Sequence, residues 1–150
     1  MRITKQLGKL TAQAVAGTHV VLLGWSMTKA DSRHVLGFAV HRTDHTEDEA
    51  YWLEGVKVFA ETDPGMDKAS LRSHPVQGFT WSDFTAKPGH DYTYRVVALK
   101  GSPRSLIEDD EIEVRVQTER KTTVCTKCGS IAAPPPARST HAASKTRVPK

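Results

Sequence analysis

Apolar and polar residues alternate with a period of two along most of the first 119 residues, which is the pattern of strands with one buried face. From Asp91 onward Tyr92, Tyr94, Val96 and Ala98 share one parity, and Thr93, Arg95, Val97 and Leu99 share the other. The run Thr18–Ser26 places Val21, Leu23 and Trp25 on one face and Val20 and Leu22 on the opposite one. Trp25 reads there as a large core aromatic rather than a platform for stacking a ligand. A third run, Val35–Arg42, turns Leu36, Phe38 and Val40 inward, and Tyr51–Phe59 predicts a further strand with a less regular period. Near the end of the alternation, Ile112, Val114 and Val116 stand against Glu113, Arg115 and Gln117. Gly101-Ser102-Pro103 is expected to turn, and Glu108–Glu111 to form an acidic loop. About seven strands joined by short turns predict an all-β, two-sheet Greek-key sandwich over residues 11–119, preceded by a flexible stretch at residues 1–10.

The most informative stretch is Gln77–Leu99, in which an aromatic-rich strand meets a Pro88-Gly89 turn and a second strand follows. Pro88 fixes φ, Gly89 permits a positive φ, and Tyr92 comes three residues later, where its ring packs inward and its hydroxyl reaches backbone at the corner. This tyrosine-corner segment, Ala86 to Ala98, resembles the E–F corner of a fibronectin type III domain, a relative of the immunoglobulin-like sandwiches. Ala86 stands where that pattern commonly has Leu, so Phe84 or Trp81 is expected to fill the core there. More specifically, Gly37–Arg42, Asp48–Gly55 and His74–Trp81 running on to Ala98 resemble the N-terminal portion of large bacterial phospholipase D-like proteins, over roughly residues 10–119. The resemblance implies an accessory module ahead of a catalytic region with two HxKxxxxD motifs, in which a His attacks phosphorus. None of the seven His residues here is followed two positions later by Lys, so no catalytic residue carries over.

Charge separates the chain into two parts. Residues 1–119 hold 14 Lys+Arg and 17 Asp+Glu, a net of −3, whereas residues 120–150 hold 7 Lys+Arg and no acid, a net of +7. The basic isoelectric point is therefore a property of the tail, and global charge alone does not argue for a nucleic-acid or membrane partner. The tail lacks hydrophobic periodicity and is expected to be disordered. Three readings of it stay open. Cys125 and Cys128 are half of a zinc knuckle with only His141 nearby; the basic composition suits a phosphate-binding arm acting on nucleic acid; and a neighbouring reading frame permits a strand-and-loop continuation, which makes the tail a frameshift product. No apolar run reaches the length of a membrane span, the N-terminus lacks the apolar stretch of a signal peptide, and both cysteines sit in the tail, so a cytoplasmic location is expected.

Candidate chemistry is sparse. The patch His41–Glu49 contains His41, Asp44, His45, Glu47, Asp48 and Glu49, all competent metal donors, but the spacing matches no regular ligand pattern and predicts a solvated loop. The stretch Ala60–Pro75, interrupted by Asp63-Pro64-Gly65, predicts a long loop and the best contact surface. Ser73, His74 and Asp67 occur within it, yet residue types in one loop do not make a catalytic triad. The sequence thus predicts no catalytic, cofactor-binding or metal residue. It predicts a non-catalytic interaction module whose partner is the downstream catalytic region, with nucleic-acid binding through the tail as the alternative.

Overall fold

The computed structural model describes residues 1–62 and 65–121. Its strands are, in chain order, β1 (Arg2–Leu7), β2 (Leu10–Ala16), β3 (Val21–Ser26), β4 (Val35–Asp44), β5 (Glu49–Trp52), β6 (Glu54–Gly55), β7 (Ala69–Ser70), β8 (Thr80–Asp83), β9 (Asp91–Ser102) and β10 (Ser105–Gln117). One antiparallel sheet has the order β1-β2-β3-β8, a second has the order β10-β9-β4-β5, and β6 and β7 form a small ladder. The result is the all-β sandwich that the alternation predicts. Residue parity does the sorting: Val21, Leu23 and Trp25 of one sheet bury against Phe38, Val40, Tyr92, Tyr94, Val96 and Ala98 of the other, with Ile112, Val114 and Val116 extending the core. Leu22, on the opposite parity of β3, is exposed as expected. Each fully buried Val, Leu or Ile side chain stabilises the fold by about 1.5–3 kcal/mol relative to leaving it in water.

The corner forms as its residues require. The Tyr92 hydroxyl accepts the Lys87 N–H at 2.8 Å, and Gly89 takes the left-handed conformation at φ 74°. Thr118 locks the corner to the end of β10, its Oγ1 donating to the Lys87 carbonyl at 2.6 Å and accepting the His90 N–H at 2.9 Å. Ala86 itself is buried. Phe84, proposed as a core plug, is instead 75% exposed, because β8 alternation turns Asp83 inward and its neighbour outward. Trp81, on the inward parity, packs against the core.

Several expectations change. Residues 1–10, expected to be flexible, carry β1, which pairs with β2 from Arg2↔Val15 to Leu7↔Leu10 around a positive-φ Gly8. Its side chains are nearly all exposed, so backbone pairing rather than hydrophobic patterning holds it; the N-terminal ammonium donates to the Ala16 carbonyl at 2.9 Å. Glu108–Glu111 is not a loop but a bulge within β10. The patch expected as a loop over 41–49 shrinks to residues 45–48, since β4 runs to Asp44 and β5 begins at Glu49. Leu36 is only half-buried, because the β4–β9 register slips between Val35 and Gly37.

The expected loop over 60–75 holds a 3-10 turn at Ala60–Thr62 and strand β7, while Asp63 and Pro64 lie outside the described residues, as do Cys125, Cys128, His141 and the tail readings. The segment is tied to the sandwich at its end: Leu71 N–H donates to the Leu53 carbonyl, Leu53 N–H donates in turn to the Val40 carbonyl, and just past Pro75, Phe38 and Val76 exchange backbone bonds of 2.8 and 2.9 Å. Val97 and Leu99, on the outward parity of β9, are buried as well. Arg72 lies 5.0 Å over the Trp52 ring of β5 and pairs with Glu108 of β10, so its side chain spans the outward face between the two edge strands.

Candidate functional site

Three places concentrate polar or concave features. The first is a buried polar group inside the sandwich at the corner end. Strand pairing sets Arg42 opposite Tyr94 and Asp44 opposite Tyr92, all on the inward parity. Arg42, 4% exposed, donates through one guanidinium nitrogen to Asp83 at 2.8 Å and Thr85 at 2.7 Å, and through the other to the Tyr51 hydroxyl. The Tyr94 hydroxyl donates to the same Asp83 oxygen at 2.8 Å. Burial alone would raise the Asp83 carboxyl, but hydrogen bonds from Thr85, Arg42 and Tyr94 outweigh it and hold the group below the usual carboxylate range. The Tyr94 phenol is pushed far up, by burial first and by the adjacent Asp83 charge second. These groups complement one another, and the Arg42 Nε–H, a donor that a guanidinium does not give up, is the one atom among them that is buried without a partner.

The second place assembles part of the acidic patch. Asp44, Glu47 and His90 bring potential ligand atoms within 4.8 Å of one another. His90 comes from the corner, some forty residues away, and no spacing within the patch signals it. The three groups are already engaged. Asp44 bonds His90 Nδ1 at 2.8 Å and the Thr46 amide at 2.8 Å, and Glu47 pairs with Lys87. Burial would raise the Asp44 carboxyl, yet the His90 and amide bonds hold it down, so it accepts the imidazole N–H. A cation would have to displace both the His90 proton and the Lys87 ammonium, which makes the cluster a clamp between the β4–β5 turn and the corner. The rest of the patch scatters. His45 Nε2 meets Thr93 at 2.8 Å, Asp48 adopts a positive φ in the turn, and His41 faces outward against Trp52 with ring centroids 5.1 Å apart. Burial and then Arg95 lower the His41 pKa.

The third place is a groove of about 760 Å³ between residues 55–59 and 74–81. Leu71, Val76 and Trp81 line it; a Cβ on Gly55 would come within 2.9 Å of Leu71 and 3.5 Å of Trp81, so glycine lets the backbone approach closely there. His74 borders the groove but is 6% exposed, and its Nδ1 accepts the Phe59 N–H at 3.1 Å. An imidazole whose Nδ1 accepts from backbone cannot donate that nitrogen's proton to an acid, so His74 lacks the orientation of a triad base. Trp25, 5% exposed and 5.4 Å from Phe38 between ring centroids, is core rather than platform.

No protein-family model matches the chain, and no curated protein matches it significantly. Sequence reasoning directed attention to 60–75 as a contact surface. The groove takes Leu71, His74 and Pro75 from the end of that stretch, and the rest of its lining from 55–59, 76–78, 80 and 81. Gly55 beside an apolar run was the available signal. No helix among the described residues is long and apolar enough to cross a membrane.

Proposed function

We propose that the chain is a non-catalytic β-sandwich module that binds a partner protein. The observation that carries this reading is the contrast in commitment: the buried titratable groups Asp83, Tyr94, Asp44 and His90 are bonded to one another, whereas the groove beside β8 is open and apolar. Concave apolar surface with few polar groups is where binding energy is available. Within the same proposal the module is fibronectin type III-like and forms the front of a phospholipase D-like protein. Its partner is then the region that carries the HxKxxxxD motifs, and the support is the residue resemblance over residues 10–119.

The test has two parts. The nucleotide sequence from codon 117 onward is read in all three frames, and an open frame running into two HxKxxxxD motifs is expected. The encoded region, expressed separately, then binds the chain, as followed by calorimetry. A stop codon near codon 150 in every frame removes the phospholipase D-like parent. In that case the +7 tail makes salt-dependent nucleic-acid binding the next reading, one that deletion of residues 120–150 must abolish.

A further inference from the structure

Among the described residues, strand β8 has a partner on one edge only. It pairs with β3 from Val21↔Asp83 to Gly24↔Thr80, and the bond from the Trp25 N–H to the Phe79 carbonyl fixes the phase of the ladder. In an antiparallel pair, directly opposed residues alternate between exchanging hydrogen bonds and not. Trp81 and Asp83 share the parity of Phe79 and therefore bond β3. Thr80 and Ser82 direct their N–H and C=O groups the other way, where no partner occurs among the described residues.

The unpaired edge borders the groove. Thr80 and Trp81 form one wall and Gly55–Phe59 runs along the other. A strand added to β8 would place alternate side chains on the same side as Trp81, over Leu71 and Val76, because cross-strand neighbours share a face. Val56, 73% exposed, and Phe79, 44% exposed, flank this path with apolar surface. Lys57 is the one formally charged side chain lining the groove, and it has no ion-pair partner among the described residues.

We propose that β8 is a docking edge for an extended peptide segment of a partner protein. The segment presents apolar side chains at alternate positions to the groove and a carboxylate to Lys57. This rests on the reading of the chain as an interaction module and names what that module recognises: main-chain hydrogen bonds from Thr80 and Ser82 supply affinity, and the groove supplies selectivity. The edge is short, only four residues, which limits indiscriminate pairing with other exposed strands.

The test uses the full chain and a phage-displayed library of random linear peptides. Enriched peptides are expected to alternate apolar and polar residues and to carry an acidic residue. Synthetic copies N-methylated at every second amide are expected to bind about tenfold or more weakly in one phase and near normally in the other, since only one phase donates to β8. Ser82→Pro removes an outward N–H from an edge strand, where proline is tolerated, and is expected to weaken binding similarly. Should that variant misfold, the N-methyl series decides alone. Lys57→Glu is expected to abolish the preference for acidic peptides. Phase-independent N-methylation, or full binding by folded Ser82→Pro, overturns the proposal. A dimer by light scattering that Ser82→Pro dissociates also overturns it, since a second copy then occupies the edge. If the separately expressed downstream region binds while no alternating peptide does, the module reading stands and edge docking falls; peptides without that region leave edge docking standing and remove the phospholipase D-like partner.

Discussion

The two ends of the sandwich interior are built on opposite terms. At the corner end, Arg42, Asp83, Tyr94, Asp44 and His90 form a buried Arg42–Asp83 ion pair and hydrogen bonds that satisfy nearly all of their polar atoms. At the far end, Phe38 packs at tilted ring angles between Trp25 and Phe79, with centroids 5.4 and 5.3 Å away, and beside them lie the groove and the unpaired edge of β8. Removing one member of the polar end leaves a charge without a partner in a poorly solvated site, so that end specifies the fold and tolerates little change. The apolar end is held by non-directional packing, and its directional groups at Thr80 and Ser82 remain available. Sensitivity to substitution therefore concentrates where the polar chemistry is, and binding capacity where it is not.

The largest expected effect breaks the polar end. Asp83→Ala strands the Arg42 guanidinium, which is only 5% exposed at the side chain, and should cost about 3–5 kcal/mol in urea denaturation. The double variant Arg42→Met with Asp83→Ala should recover much of that loss. A single-variant cost below about 1 kcal/mol would erase the contrast between the two ends.

Acid acts on the same groups. Asp83 and Asp44 have folded-state pKa values below the unfolded carboxylate value. Their contribution is therefore complete above about pH 4, where an unfolded Asp ionises, and is lost as pH falls through the lower folded values. Denaturation midpoints should fall more steeply below about pH 4 in the wild type than in Asp44→Asn; parallel curves would deny the His90–Asp44 clamp a role.

A smaller effect is expected at the corner. Tyr92→Phe deletes the acceptor of the Lys87 N–H and should cost about 1–3 kcal/mol, measured by thermal or urea unfolding. Smallest of all is Lys100→Ala at the exposed pair with Asp109, expected to stay below about 1 kcal/mol; a larger loss would place stability on the surface rather than at the polar end.

The sheets were legible in the sequence because period-two alternation reports burial directly, as Val21-Leu23-Trp25 and Ile112-Val114-Val116 did. The tyrosine corner was legible because Pro88, Gly89 and Tyr92 each carry a local conformational reason. Strand β1 was not, since its side chains are exposed and its pairing with β2 is a backbone matter. The long-range polar pairs were equally hidden. Arg42 and Asp83 lie 41 residues apart, and Asp44 and His90 lie 46 apart, so only the packing of two sheets brings them together. The misassigned Phe84 shows the same limit from the other side: its apolar character suggested the core, but the inward turn of Asp83 toward Arg42 fixed the parity of its neighbour.

The free edge of β8 is the central claim, and amide hydrogen exchange at Thr80, Trp81, Ser82 and Asp83 tests it most directly. In the full chain alone, Trp81 and Asp83 amides should be protected by β3 while Thr80 and Ser82 exchange quickly. With a saturating alternating peptide from the display selection, Thr80 and Ser82 should become protected and the other two should change little. Slow exchange of Ser82 in the free chain, or no added protection with the peptide bound, would contradict the account.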